Sequence, residues 1–556
     1  MNKVEENTVQ IITALDEDTA LEQASSNYID TLVHGKDYDV MELVAGMMTS
    51  VHQIFDEHNL IVGKSKGWKY PKILPNICLA RLIAFKYNVK LIDSNGDVDN
   101  AMLSVYQDSG PNQGIYSIKS HSLKNIIRSF RPNATTRDIE EVKDVLSSIV
   151  DVVEPTRDKD LIAVNNGIFD YKNKRLLEFS PEYIFTAKIK VDYVPNAVRP
   201  TYVMHDGELW DPDTWFESLS DDTAIVKLLW QAVGAIIRPN VRWDKAIFLY
   251  SQVGMNGKGT LCELMKQLCG KGAYSSISLS SFEKDFALEE LMTSTAIICD
   301  ENGTSDFTKS AAIFKAICTA DSFMLNGKGK KMRTVTWRGA VVECINSLPR
   351  ISDFTDSLYR RVLIIPFDKT FKGTERKYIK DDYLRRKDCL EYILNKVLHT
   401  DYYEFDNPPA CEEMLRDYKN FNDPVKQFVD DVFPQLAWDL IPLTFLKDLY
   451  PKWRIKHNPS AVQVGERTLE DRIATIIMND YSTEWSYEKG KTYRVTKTNM
   501  CKPELLIHEY GLSDWENRVH KGCSIEQKCM PSELKDKYKG YVRNSTSNAV
   551  VDSEEV

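Results

Sequence analysis

The chain has 556 residues, 43% hydrophobic and 27% charged, with 71 basic against 81 acidic side chains and a net charge of −10. A chain of this length exceeds one hydrophobic core and predicts roughly three to five domains. The acidic balance excludes a globally basic nucleic-acid coat, but it permits positive charge confined to the path that phosphates would follow.

No apolar run approaches the roughly 20 residues that span a bilayer, and the opening MNKVEENTVQ is polar and acidic, so the expected location is cytoplasmic, with no membrane partner. The 11 cysteines are scattered, and Cys299 in AIICD and Cys344 in VVECIN sit in apolar runs as buried free thiols do.

Residues 1–112 predict a mainly helical N-terminal accessory domain, from patterns such as YDVMELVAGMMTSVHQIF. The Gly, Asn and Asp-rich stretches SNGDVDN and QDSGPNQG predict a flexible boundary at its end. Residues 113–215 predict a mixed α/β module, in which IAVNNGIFDYKNKRLLEF reads as short strands with turns at Asn165–Gly167 and Tyr171–Lys174. Residues 216–370 predict a core in which the helix TAIVKLLWQAVGAII is followed by the buried strand Ala246–Tyr250, a glycine-rich turn and another helix.

Residues 371–422 predict a charged helical connector, and residues 423–540 a winged-helix-like domain. In that domain Thr444 caps a helix interrupted or kinked near Pro451, RTLEDRIATII is a second helix, and EWSYEKGKTYRV is a hairpin turning at Lys489–Gly490. Residues 541–556 predict a disordered tail.

Four elements carry chemistry. In QVGMNGKGT, Gly254, Gly257 and Gly259 let successive backbone N–H groups curl round a phosphate, with Asn256 between them and Lys258 at the helix start to reach the β- and γ-phosphates of ATP. Gln252 stands where the usual pattern has its first glycine, and Gly259 stands where it has a hydroxyl, so Thr260 is the nearest hydroxyl for Mg²⁺. Read alone, the loop is also a glycine turn with a solvated lysine.

The strand AIICDEN ends in Asp300 and Glu301, one carboxylate to hold Mg²⁺ and one to orient and deprotonate water; a solvated strand end is the plainer reading. The strand VVECIN ends in Asn346, an amide placed to sense a γ-phosphate or to serve as an ordinary turn residue. Arg360 and Arg361 precede VLIIPF, where an arginine can stabilise a transferring phosphoryl group or simply sit on the surface. Between AIICDEN and VVECIN, LNGKGKKMRTVTWR predicts a hairpin presenting Lys328, Lys330 and Lys331 to a phosphate backbone, or a solvated basic face.

Within about a hundred residues these elements, in this order, resemble the superfamily 3 helicase core of the AAA+ class, above all the primase-helicase group of phages, plasmids and poxviruses. NGKG-T resembles that group's P-loop and CDE its Walker B. ADSFMLNGK, with Asp321 and Lys328, resembles its pore hairpin, and INSLPRI and RRV its sensor and arginine motifs. NNGIFDY, PEYIFTAKIKVDYVPNA and WFESL extend the likeness outward, to cover residues 115–500.

The resemblance implies a multidomain α/β protein with an AAA+ P-loop core of the superfamily 3 type, an N-terminal mixed α/β module and a C-terminal winged-helix domain. It implies ATP and Mg²⁺ as cofactors and a homo-hexameric ring moving 3′ to 5′ on single-stranded DNA. Each site would take Lys258, Asp300, Glu301 and Asn346 from one protomer and Arg361 from the next. Origin duplex DNA and a primase are further partners of this reading. Residues 1–100 show no D-x-D pair in a strand context, so priming is not implied.

Two rivals stand beside it: an ATP-dependent initiator or loader that binds or melts an origin without processive unwinding, and a DNA-binding replication protein with a degenerate nucleotide site. For zinc near the C-terminus, His508, His520, Cys523 and Cys529 lack a paired spacing, and Tyr450, Trp453 and Trp485 read as core before base-stacking.

Overall fold

A computed structural model describes residues 16–544 except 34, 64, 97, 285, 304–310, 328–331, 350–355, 458–463, 518–523 and 532. The chain divides into two compact units, Met1–Pro349 with Arg360–Cys411, and Arg350–Tyr359 with Glu412–Val556.

The first unit begins with helices α1 (Glu17–Ile29), α2 (Val40–Val62) and α3 (Asn76–Lys86). Asp39 starts α2 by accepting from the N–H groups of Met41 and Glu42, and Leu43, Met47, Val51, Ile54 and Phe55 recur at helical spacing on its buried face. Strands β1 (Val89–Ile92), β2 (Met102–Tyr106), β3 (Tyr116–Ser117) and β4 (Val152–Val153) form one sheet in the order β3-β2-β1-β4. Helices α4 (Ser120–Phe130) and α5 (Thr136–Ile149) lie between β3 and β4, and a capping box of Thr135 and Asp138 opens α5.

This sheet crosses the expected boundary at 112. The glycine-rich stretches are the turns that join β1 to β2 and β2 to β3, where Gly96, Gly110 and Gly114 take φ of +77°, +76° and +88°. Turn glycines and linker glycines have the same composition, and only strand pairing separates them.

Residues 161–411 contribute to a second core. Strands β5 (Leu161–Val164), β6 (Gly167–Asp170) and β7 (Arg175–Leu177) form an antiparallel meander with turns at the expected places. Strands β8 (Tyr202–Val203) and β9 (Leu209–Trp210) pair, followed by α6 (Pro212–Ser218) and the largely buried α7 (Thr223–Ile237). Phe169, Trp215, Leu229, Leu264, Val342, Ile365 and Ile393 share one apolar cluster. Residues expected to form a preceding module and a helical connector, including α10 (Lys377–Asp381) and α11 (Lys387–Leu398), are therefore parts of the same core.

That core is built on a parallel sheet of β10 (Ala246–Tyr250), β11 (Tyr274–Ser275), β12 (Ala296–Cys299), β15 (Ala340–Ile345) and β16 (Val362–Pro366), in the order β11-β12-β15-β10-β16. Helices α8 (Lys258–Cys269) and α9 (Ala312–Cys318) belong to its crossovers. Every residue of β10, β12, β15 and β16 is buried, as both-faces-covered parallel strands require. Strands β13 (Ser322–Leu325) and β14 (Arg333–Thr336) pair antiparallel as the expected hairpin, with Leu325 opposite Arg333.

In the second unit, α13 (Pro424–Val432), α14 (Leu443–His457) and α15 (Glu466–Asp480) pack with strands β17 (Leu440–Pro442), β18 (Trp485–Ser486), β19 (Thr492–Arg494) and β20 (Lys537–Arg543). The boundary between the units falls within α12 (Pro409–Asn422) and not at 423. Helix α14 already includes Thr444, which is therefore no cap, and it runs through Pro451. β18 and β19 do not pair with each other: both pair with β20, which supplies the longest strand of that sheet. β20 also carries residues 541–543 out of the expected tail, with Tyr541 fully buried. Residues 545–556 lie outside the described residues. Tyr450, Trp453 and Trp485 are core, as expected.

Candidate nucleotide site

Strand β10 is five buried apolar residues, and it delivers the chain at Tyr250 to the turn that opens α8. Two residues of the turn adopt left-handed backbone, Met255 at φ +60° and Gly257 at φ +90°. Glycine is needed at 257 twice over: its backbone is left-handed, and a Cβ there would meet Leu219 at 2.6 Å. A Cβ at Gly254 or Gly259 would meet nothing within 4 Å, so packing within the chain does not demand glycine at either position.

Asn256 is buried and braces the turn, donating to the Val253 carbonyl and accepting from the Lys258 N–H. The Phe371 N–H donates to the Met255 carbonyl at 2.7 Å and fixes the outer side of the turn. Helix α8 opens at Lys258 with no side-chain cap, so its first turn presents the positive end of the helix dipole.

The Lys258 side chain is 5% exposed, and its ammonium donates to the Ser251 carbonyl at 3.1 Å, the Ile345 carbonyl at 3.0 Å and Asn346 Oδ1 at 2.8 Å. Burial pushes its amine below the ordinary lysine value. Two residues chosen from sequence 88 positions apart are thus in direct contact.

Asp300 follows β12 at the same end of the sheet, since Cys299 lies opposite Glu343 and Tyr250 opposite Ile345. Its carboxylate is 2.9 Å from the Lys266 ammonium, on α8 two turns beyond Lys258. Burial alone would raise the Asp300 carboxyl, but the hydrogen bond and charge of Lys266 outweigh it and hold the group below the usual carboxylate value. Glu301 is exposed beside it.

Sequence reasoning missed Asn302 and Glu343. Asn302 donates to Glu343 Oε2 and to the Cys344 carbonyl, each at 2.9 Å, and accepts from the Leu279 N–H. Glu343 is fully buried in the central strand β15, and a lone acid inside VVECIN was the signal that could have found it.

Arg361 stands at the other end. Its carbonyl accepts from the Ala246 N–H at 2.8 Å, at the start of β10, while the glycine-rich turn leaves from Tyr250. Four to five residues of strand, roughly 13 to 16 Å at about 3.3 Å per residue, separate the two along β10.

A cavity of about 740 Å³ opens beside the turn, lined by Met255, Gly257 and Thr260, by Met204, Trp210 and Trp215, and by Phe371, Arg376, Lys377 and Lys380. It has the size of a small-molecule site, and its wall is mixed: apolar side chains, the cations Arg376, Lys377 and Lys380, and the acids Glu208, Glu375 and Asp381, with Arg376 paired to Glu208. Its aromatic wall was not legible as a site, because three distant stretches build it.

For ATP, the glycine cradle, Lys258 and this cavity fit. For Mg²⁺, the available donors are hard oxygens, Thr260, Asp300 and Glu301, which suits an ion held mostly by phosphates and water. Among the described residues no group of His, Cys, Asp or Glu forms a metal cage by itself. His520 and Cys523 lie outside the described residues, as do Lys328, Lys330 and Lys331.

Three family models match the chain. Residues 249–361, which hold Lys258, Asp300, Asn346 and Arg361, match a family of unknown function (DUF5906). Residues 81–222 match "D5 N terminal like", and residues 420–517 match "Poxvirus D5 protein-like". No curated protein matches.

Among solved structures, the apo structure of the NrS-1 C-terminal region is similar at 14% identity, covering 75% of this chain and 97% of that one, with a TM-score of 0.41. An A form of the same region is similar at 13% identity, covering 72% and 85%, with a TM-score of 0.40. With matched segments on both sides of the glycine-rich turn, the chain is similar to D5 proteins over residues 81–222 and 420–517.

Proposed function

We propose that this chain is an ATP-hydrolysing DNA helicase or translocase that serves replication of a phage, plasmid or genomic island. The observation that carries it is the meeting of Lys258 with Asn346 at 2.8 Å, at an uncapped helix start beside a nucleoside-sized cavity. In this reading the sheet is an AAA+ core of the superfamily 3 type, with the turn at the carboxyl ends of the strands where ligands of open α/β sheets bind. Lys258 grips the β- and γ-phosphates, Asn346 senses the γ-phosphate or orients water, and Glu301 takes the proton of that water. Asp300 and Thr260 help to hold Mg²⁺, which would neutralise charge on the phosphates.

Arg361 serves a neighbouring protomer's site in a homo-hexameric ring, and the β13–β14 hairpin tip, with Lys328, Lys330 and Lys331, follows single-stranded DNA 3′ to 5′. The second unit acts as a winged helix toward origin duplex DNA, and a primase is a candidate partner. The test is ATP turnover with and without single-stranded DNA, with oligomer size recorded. Turnover stimulated by DNA and lost in Lys258→Ala supports the motor, and no turnover in the intact protein sinks it.

One observation favours a second reading, an initiator, loader or binding protein with weak or no turnover. Asp300 commits its carboxylate to Lys266 and so competes with metal binding. Unwinding of a partial duplex separates a motor from an initiator that only melts or marks an origin.

A further inference from the structure

Away from the nucleotide cavity, a small pocket of about 170 Å³ is walled by residues 112–119, 186–190 and 271–273 together with Thr293. Four of its lining side chains are lysines, Lys119, Lys188, Lys190 and Lys271, and none is acidic. In a chain with net charge −10 this is a marked local inversion.

The two inner lysines are held by neutral acceptors. The Lys188 ammonium, on a side chain 1% exposed, donates to the Gln113 and Asn165 carbonyls at 2.8 and 3.0 Å. Lys190 donates to the Pro111 carbonyl and Asn112 Oδ1, both at 2.8 Å. Carbonyls orient an ammonium without cancelling its charge. Burial pushes Lys188 down to about 8, with Lys190 adding to the fall, and burial followed by the charge of Lys119 lowers Lys190.

Lys119 and Lys271 stand exposed on the rim. Lys119 is also the N-cap residue of α4, an 11-residue helix whose first turn has no side-chain cap. The charge the pocket lacks is an anion.

Its size selects the anion. The pocket is well below the roughly 300 Å³ at which small-molecule sites begin, so it admits a phosphate group but not a nucleoside. We propose that it holds one backbone phosphate of a single-stranded DNA segment, with sugar and base left outside. The proposal rests on the reading that the chain acts on DNA.

The pocket also touches the nucleotide site through one helix. The Lys190 N–H donates to the carbonyl of Cys269, the last residue of α8, and a Cβ at Gly270 would meet the Lys190 Cβ at 2.3 Å. Helix α8 therefore carries Lys258 at its start and abuts the pocket about 18 Å away, at about 1.5 Å per residue.

The test uses the full chain and the double variant Lys119→Gln with Lys271→Gln, which leaves the buried lysines in place. Binding of a labelled oligothymidylate is measured over a series of KCl concentrations, beside ATP turnover without DNA and thermal melting. The expected result is affinity reduced about tenfold, the worth of a lost charge-assisted contact. The slope of log affinity against log salt should be shallower by about 0.7, one phosphate of a single strand. Basal turnover and melting should be unchanged, and Lys119→Arg with Lys271→Arg should restore binding.

Equal affinity and slope in variant and parent overturn the proposal, as does a loss of binding that tracks a loss of melting temperature. Competition by inorganic phosphate without any strand binding would assign the pocket to free phosphate and overturn the strand. A parent that binds no DNA but turns over ATP through Lys258 overturns this site and the DNA part of the function while leaving the nucleotide part standing.

Discussion

The two ends of the parallel sheet differ in what they would offer the proposed nucleotide. The carboxyl end gathers Lys258, Asn346 and Asp300 with an uncapped helix and an aromatic cavity; the amino end carries Arg361, a strand's length away along β10. An arginine side chain cannot cross that distance within its own chain. If Arg361 acts on a phosphoryl group, it acts on that of another molecule, and the sheet then works as a two-sided part whose faces meet only in an assembly.

The largest expected effect tests that inference. Arg361→Ala should lower turnover by about 10³-fold or more, the usual worth of an arginine supplied in trans, with ATP binding retained in a filter or calorimetric assay. Lys258→Ala should lower turnover by roughly 10²- to 10³-fold and weaken ATP binding as well. Mixing the two inactive variants sharpens the comparison, because rings that pair an intact amino end with an intact carboxyl end should regain part of the turnover. No recovery in any ratio would break it.

A smaller effect is expected at Phe371, which ties to Met255 and lines the cavity: Phe371→Ala should weaken nucleotide binding by about tenfold, at the low end of what burying a large apolar side chain contributes, leaving DNA binding unchanged.

The smallest effect concerns Lys266. Lys266→Met should tighten Mg²⁺ dependence a few-fold by freeing Asp300, and unchanged Mg²⁺ dependence would assign Asp300 a purely structural role. The same variant changes acid stability. A depressed carboxylate stabilises the fold above its ordinary value and loses that contribution as pH falls through its folded value, so the parent should show an acid-side loss that Lys266→Met lacks in melting curves.

Much of the core was legible because parallel strands buried on both faces read as unbroken apolar runs: AIFLY, AIIC and AVVECI occupy β10, β12 and β15. The turn was legible because left-handed backbone at 257 demands glycine. What escaped depends on distance. Leu91 of β1 pairs with Val152 of β4 across α4 and α5, so no local pattern announces that the N-terminal sheet extends beyond 112. β20 begins inside the expected domain and runs on through residues 541–543 of the expected polar tail, and Tyr538 and Tyr541 both join the core of the second unit. The Lys266 to Asp300 pair joins a helix to a strand end, and sequence carries no sign of which lysine of α8 turns inward.

The three acceptors of the Lys258 ammonium have a further meaning for timing. Ser251, Ile345 and Asn346 hold that cation through neutral oxygens, which orient the ammonium and leave its charge uncancelled. On the proposed function, arrival of a nucleotide would be an exchange of partners rather than an addition: the lysine would let go of the amide it holds, and that release would free Asn346 at the moment there is a γ-phosphate for it to report.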